Sequence, residues 1–384
     1  MKIVVDGVFF QLTQSGIGRV WAAVLPRLAA KAGIEIVLLD RGGAPDIPGV
    51  SRVPFPTYSS KFNAQDSLLL EQMCRQQKAD LFISTYYTTP LKTPSLLTLY
   101  DMIPERFGFD MAARDWREKE LAIAHARRHL VISEQTGRDL VEYYPELDPA
   151  AIDLAYCGVD DTVFKPTPAK AQAEFRARLG LERDYFLFVG SRVQHKGYKN
   201  SRLFFEVLPK IKNPNFDVLC VGGEPELEPW IEELAPEGCN VKRVELSDAD
   251  LALAYGAASA LVYPSLYEGF GMPVAEAMAC RCPVITTNLG SIAEVAGSAS
   301  HVITGRSKTE MAKALTAVRD PATRQALQDA GEKQAAKFRW NGFADVLATA
   351  AKQVVGDAKT GQFEAFYDLW ANLRRTQGGL DIQF

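Results

Sequence analysis

The sequence predicts an α/β protein of two Rossmann-like domains that face each other across a cleft. Three observations carry this reading. The chain has 384 residues, more than one hydrophobic core serves and about right for two. Short runs of consecutive Val, Ile and Leu alternate with helical patterns from end to end. That is the signature of parallel strands buried on both faces and linked by helical crossovers. The scheme is also laid down twice, on either side of residues 161–170, where Pro166 and Pro168 mark a linker.

In the first half the strand candidates are residues 3–6, 34–39, 81–84, 96–100 and 129–132. Helical patterns occupy 18–32, 64–77, 112–128 and 134–144 between them. In the second half the strands are 186–189, 216–221, 241–244, 260–263, 284–286 and 301–303. The expected division is a domain over 1–165, a second over 173–355, and a tail over 356–384 that packs back on the first domain or serves a partner. Open α/β sheets bind ligands at the carboxyl ends of their strands, so chemistry is sought there.

Composition narrows the class. A formal net charge of −4 offers no broad surface to nucleic acid. No apolar run reaches the ~20 residues of a membrane span. The mixed charges of 114–128 favour a solvated face, with a peripheral membrane contact left open. The first residues read as a strand and not as a leader peptide. The six cysteines are scattered, without a CxxC pair, and read as reduced core thiols. The four histidines lack ligand spacing, and only His195 is expected near a cleft edge.

Three loops at predicted strand ends could carry chemistry. Gln14-Ser15-Gly16-Ile17-Gly18-Arg19 follows the first strand and opens a helix; its glycines admit a close ligand, and the helix start offers N–H groups to an anion. A plain tight turn explains it equally well. The second loop, Gly190 to Asn200, brings Arg192, Lys196 and Lys199 to the matching place in the second half, where cations could clamp a diphosphate. The third runs from Pro264 to Cys280. Glu268 and Glu276 stand eight residues apart around Gly269-Phe270-Gly271-Met272-Pro273. The close glycines require a loop and Pro273 suits a first helical turn, so the following helix points its free amides at the strand end. Each carboxylate can accept two hydroxyl hydrogen bonds, as a sugar or ribose diol offers. A hydrolytic pair is disfavoured, because eight helical residues rise ~12 Å and such pairs stand roughly 5–9.5 Å apart. The D-x-D of Asp248 and Asp250 follows Ser247 directly before an apolar helical run, so capping is preferred to metal binding.

Together these stretches resemble the retaining glycosyltransferases of family 4, which have the GT-B fold. The E-x7-E motif of Glu268 and Glu276 lies in YPSLYEGFGMPVAEAMACRCPVIT; VVDGVFFQLTQSGIGRV, LYDMIPERF and FVGSRVQHKGYKN resemble further family segments. The resemblance implies that Arg192 and Lys199, with Lys196 as the alternative lysine, hold the donor diphosphate in place of a metal. It implies that Glu276 binds the ribose, and that Glu268 with the amides of Gly269, Phe270, Gly271 and Met272 holds the donor sugar. Val244 and Glu245 would lie near the base, Gly16 and Gly18 near the diphosphate, and Asp101 near an acceptor hydroxyl. Tyr100 stands where many members carry histidine. The donor would be a UDP- or GDP-sugar, the acceptor a glycan or a lipid-linked glycan, and no cofactor is expected. A nucleotide-sugar epimerase and a non-catalytic nucleotide-sugar-binding module are the rival expectations.

Overall fold

The computed structural model describes residues 1–12, 16–59, 63–192, 197–211 and 214–381. They form two compact units: residues 1–158 with 340–384, and residues 159–339.

The first unit holds a parallel sheet of seven strands: β1 (Lys2–Asp6), β2 (Glu35–Asp40), β3 (Val50–Pro54), β4 (Leu81–Ser84), β5 (Ser95–Leu99), β6 (Arg128–Val131) and β7 (Ile152–Leu154), in the order β3-β2-β1-β4-β5-β6-β7. Its helices are α1 (Val8–Leu12), α2 (Gly16–Ala29), α3 (Asn63–Gln77), α4 (Ile103–Arg106), α5 (Arg114–His125) and α6 (Glu134–Tyr143). Strand β1 pairs with β2 from Lys2 opposite Glu35 and with β4 from Ile3 opposite Leu81. Every residue of β4 and β5 is buried, as strands covered on both faces require. Sequence order reverses between β1 and β4, which creates a topological switch point.

The second unit repeats the plan with β8 (Tyr185–Val189), β9 (Asp217–Val221), β10 (Val241–Val244), β11 (Ala260–Tyr263), β12 (Val284–Thr287) and β13 (His301–Ile303), ordered β10-β9-β8-β11-β12-β13. Its helices are α7 (Ala169–Arg178), α8 (Ser201–Phe205), α9 (Pro229–Leu234), α10 (Asp248–Ala257), α11 (Met272–Ala279), α12 (Ser291–Ala296), α13 (Lys308–Ala317) and α14 (Pro321–Ala335). A core of Phe186, Phe188, Phe204, Phe205, Val218 and Val262 fills one face of the sheet. Its switch point lies between β8 and β11.

The chain then returns to the first unit through α15 (Trp340–Ala358) and α16 (Glu364–Asp381). The expected boundary near 355 is therefore displaced to 339/340, and the first unit already ends at Gly158. The cause is local: Trp340 packs on Gly158 so closely that a Cβ there would meet the Trp340 nitrogen at 2.2 Å. Helix α15 lays Phe343, Leu347, Ala351 and Val354 into the first unit and packs on α2. Helix α16 packs on α3. There the buried Arg374 guanidinium donates to Glu118 Oε1 and Oε2 at 3.1 and 3.0 Å and to the Asn63 carbonyl at 2.9 Å. Both strands absent from the expectation, β3 and β7, lie at sheet edges and lack a buried apolar run. No helix of the described residues is long and apolar enough to cross a membrane.

Candidate active site

The second unit gathers charge at the switch point of its sheet. Tyr198 to Asn200, beyond β8, are fastened to the carboxyl end of β11. Leu266 N donates to the Tyr198 carbonyl at 2.7 Å, and Asn200 Nδ2 donates to the carbonyls of Pro264 and Gly305 at 3.2 and 2.8 Å. Asn200 takes a left-handed φ of 56° to enter α8, a conformation asparagine tolerates. This fastening places Lys199 over the strand end. Its Nζ donates to Glu268 Oε1 and Oε2 at 2.7 and 2.9 Å and to the Tyr263 hydroxyl at 3.1 Å. Ser265 Oγ donates to Glu268 Oε1 at 2.7 Å.

Glu268 is nearly withdrawn from water, 7 % exposed, and the Lys199 side chain is half-buried over it. A buried ion pair holds only when hydrogen bonds complete each partner, and Ser265 and Tyr263 supply them. Burial, and then the charge of Glu268, push the Tyr263 phenol well above its ordinary range, so it stays neutral beside the pair. The backbone is fixed from the far side: Ser291 Oγ donates to the carbonyls of Glu268 and Phe270 at 2.7 and 3.2 Å, and Thr287 Oγ1 to that of Ser265 at 2.5 Å.

Glu268 runs into the glycine turn. Gly269 and Gly271 are buried, and Gly271 caps α11 with a φ of 96°. A Cβ at Gly271 would meet Ile292 Cδ1 at 2.6 Å. The Phe270 ring is buried edge-on against Phe338, so that residue can offer a ligand only its backbone. Met272 and Pro273 form the first turn of α11. Glu276, one turn further, is 2 % exposed and its Oε2 accepts from the Tyr255 hydroxyl of α10 at 3.2 Å.

Arg192 is placed otherwise than expected. Its guanidinium is fully buried in the loop after β9 and does not join Lys199. Nη1 donates to the Gly222 carbonyl at 2.9 Å, Nη2 to those of Glu224 and Glu226 at 2.8 Å each, and Nε to Glu228 Oε2 at 2.9 Å. Its own N–H donates to Glu224 Oε2 at 2.7 Å. Its guanidinium N–H donors are committed to the turn after β9, so in this structure Arg192 clasps that turn. The acids at 224 and 228 were the signal for it.

The remaining candidates are spread over both units. Val244 ends the edge strand β10, where its carbonyl accepts from Gly222 N at 3.2 Å. Glu245 is exposed beside Arg243, at 3.1 Å. Gly16, exposed, starts α2, and Gly18 is buried in it. Asp101 follows β5 in the first unit: its Oδ1 accepts from Ile103 N at 2.9 Å, and its carbonyl accepts from Lys119 Nζ at 3.0 Å. Tyr100 is buried there. Gln14, Ser15, His195 and Lys196 lie outside the described residues. Ser247 caps α10 by accepting from Asp250 N, the role preferred for it, and Asp250 pairs with Arg178. Tyr263, Ser265, Ser291 and Asn200 were not singled out beforehand. Ser265, three residues before Glu268, was within reach of sequence reasoning; the others are joined only by the fold.

Comparison with known proteins agrees with this architecture. The family model "Glycosyltransferase Family 4" matches residues 14–163 and "Glycosyl transferases group 1" matches residues 183–320. A similar relative is O-antigen chain mannosyltransferase B of Escherichia coli, 29% identical over 161 residues, 41% of this chain and 42% of that one. Another is a D-inositol 3-phosphate glycosyltransferase of Thermomonospora curvata, 30% identical over 270 residues, 63% of this chain and 61% of that one. The alignments thus span less than two thirds of either relative. Among solved structures, Anabaena HepE in complex with UDP-glucose superposes with a TM-score of 0.71 at 17% identity, over 94% of this chain and 100% of that one. Two sheets ordered about switch points, both family models and these relatives define the class: the chain belongs to glycosyltransferase family 4, with the GT-B fold.

Proposed function

We propose that the second unit holds a nucleotide-diphosphate sugar and that the enzyme transfers the hexose to an acceptor hydroxyl with retention of anomeric configuration. The observation that carries this is the Lys199–Glu268 pair at the switch point, its carboxylate buried, with the glycine turn and the start of α11 directly after it. A diphosphate competes with Glu268 for the ammonium; once Lys199 turns to phosphate, Glu268 is left to accept sugar hydroxyls. Fixed N–H donors of the turn and helix start complete a cradle for negative charge. HepE, whose structure holds UDP-glucose, supports a UDP-sugar as the first donor to try. Glu276 is assigned to the ribose, with the diol taking the place of the Tyr255 hydroxyl.

In the transfer step the bond from sugar C1 to the β-phosphate oxygen breaks and a bond from C1 to the acceptor oxygen forms on the same face. The acceptor proton passes to the departing phosphate oxygen. Glu268, still held by Ser265, serves as a hydroxyl acceptor in this scheme, not as a nucleophile. Lys199 stabilises the charge that develops on the diphosphate, the part a metal ion plays in other transferases. A glycan or lipid-linked glycan is the proposed acceptor class, in keeping with the O-antigen chain named for one relative.

The test is a thermal-shift panel of UDP, GDP and ADP with and without EDTA, followed by NMR of the product's anomeric proton. Stabilisation by one nucleotide that survives EDTA, with a product of unchanged anomeric configuration, is the expected result. A requirement for divalent metal, or inversion at C1, sinks the scheme.

A further inference from the structure

The chain crosses from the first unit to the second after Gly158 and returns after Arg339. On the second-unit side the two crossings are tied together, Val159 N donating to the Phe338 carbonyl at 3.1 Å. Each crossing then sets one buried ring next to a carboxylate's support. Phe338 stands edge-on to Phe270, with centroids 5.2 Å apart and planes at 88°. Phe270 lies between the two glycines that follow Glu268. Gly269 and Gly271 have no side chains, so the Phe270 ring is the hold on that turn between Glu268 and Met272. Phe164, near the other crossing, meets the Tyr255 ring at 6.2 Å. The hydroxyl of that ring donates to Glu276 Oε2 at 3.2 Å.

Both rings are anchored through their backbones. Phe164 N donates to the Asp160 carbonyl at 2.8 Å, and Asp160 Oδ1 accepts from Thr162 N and Oγ1 at 3.0 and 2.6 Å, so a tight turn presents the ring. The segment after it lies against α10: a Cβ on Gly256, next to Tyr255, would run into Thr167 Oγ1. Phe338 N donates to the Ala335 carbonyl at 3.0 Å, at the end of α14. A cavity of about 160 Å³, lined by Val159, Phe164, Phe338, Ala279 and Ala335 among others, borders both rings. A close-packed interior passes a displacement from ring to ring, and the cavity leaves these two room to shift. Two short relays thus start at the crossings and end at Glu268 and Glu276.

Resting on the transferase reading above, we infer that Phe338 and Phe164 are positioning residues that couple the chain crossings to the donor: Phe338 sets Glu268 through Phe270, and Phe164 sets Glu276 through Tyr255. Glu268 is assigned to the sugar and Glu276 to the ribose, so the two rings act on different parts of one ligand. The experiment uses the full chain. Calorimetry gives dissociation constants for UDP, GDP and ADP and for UDP-glucose, GDP-mannose and ADP-glucose, and the pair that binds the unaltered chain is carried forward. Hydrogen exchange at the Val159 amide is followed on the same samples. Phe338→Leu should weaken the nucleotide-sugar roughly fivefold and leave the bare nucleotide within about twofold. Phe338→Tyr keeps the ring, has the cavity for its hydroxyl, and should restore the nucleotide-sugar. Phe164→Leu should weaken both ligands by a similar factor. Linkage is reciprocal, so the nucleotide-sugar should slow exchange at Val159 in the unaltered chain and not in Phe338→Leu. A lower melting temperature in Phe338→Leu with the ratio of the two affinities unchanged would make that ring mere core and overturn the inference. Exchange at Val159 that ignores the ligand in the unaltered chain also overturns it, and this readout decides the matter if the leucine variant does not fold. Binding of no nucleotide to the unaltered chain instead overturns the donor reading, so the two failures read differently.

Discussion

At the residue scale the candidate site rests on an ion pair whose members have no structural substitute. Lys199→Ala leaves Glu268 buried beside a neutral phenol, and Glu268→Ala leaves a half-buried ammonium without its carboxylate; either change strands a charge. Each variant is expected to fold, because the cluster sits at a strand end and not in the core. Each should lose transfer by at least ~10²-fold, on the scale of removing one preorganised stabilising group. Initial rates with a saturating donor check this, and near-normal rates in both would remove the pair from the chemistry. Arg192→Ala should act through stability: four acceptors of the turn lose the buried guanidinium that ties them together, and the melting temperature should fall by several degrees, as is usual for the loss of a buried hydrogen-bonded charge. An unchanged melting temperature with weaker UDP binding would return Arg192 to the phosphate. Gly271→Ala combines a left-handed backbone, ~1–2 kcal/mol, with a methyl in the space of Ile292 Cδ1. Urea unfolding should register at least that loss.

At the scale of elements the buried runs were legible and the edges of the first sheet were not. Strands β4, β10, β11 and β13 fall on their expected residues, and the other expected strands begin or end within a residue or so. In the central strands burial on both faces demands consecutive apolar side chains, whereas β10 and β13 are the edges of the second sheet. Strand β3 has Ser51 and Arg52 exposed, and the three residues of β7 are all half-buried, so neither leaves that trace. The junction of α5 with α16 hides a second element-scale property. His125, wholly buried, hydrogen-bonds through Nδ1 to Ser95 Oγ at 2.6 Å and packs against Tyr367 and Trp370. Burial, then Arg127 and Arg374, hold its pKa down to about 3; burial also lowers that of His129 to about 4. The unfolded chain therefore binds these two protons first, and stability drains away as pH falls below about 6.5. Asp66 works against them. Its carboxyl is pushed up to about 6 by burial, so it costs stability as pH rises from about 4 to about 6, one proton against two. The urea midpoint is expected to be lower at pH 5 than at pH 7, with a smaller difference in His125→Gln. Equal midpoints at the two pH values would refute the sign.

At the scale of the molecule the GT-B class was readable from two repeats of strand and helix and from one motif. The division of the chain was not. Helix α15 carries an apolar stripe that fits either unit equally well on paper; what assigns it is the contact of Trp340 with Gly158, a pairing far apart in sequence. A chain stopped at Arg339 is expected to keep UDP stabilisation in the second unit while the first becomes protease-sensitive. Equal protease resistance of the two units in that truncated chain would show that α15 and α16 are dispensable.

The return of α15 and α16 also sets an order of events during synthesis. When Gly158 leaves the ribosome, the first sheet is complete, but the helices that cover its flank are some 180 codons away. At about 5–20 residues per second, translation leaves that flank bare for roughly 10–40 s, while the later unit can already close. The nascent protein is thus finished from its middle outward, and holdase chaperones have their clearest opening at the surface awaiting Trp340.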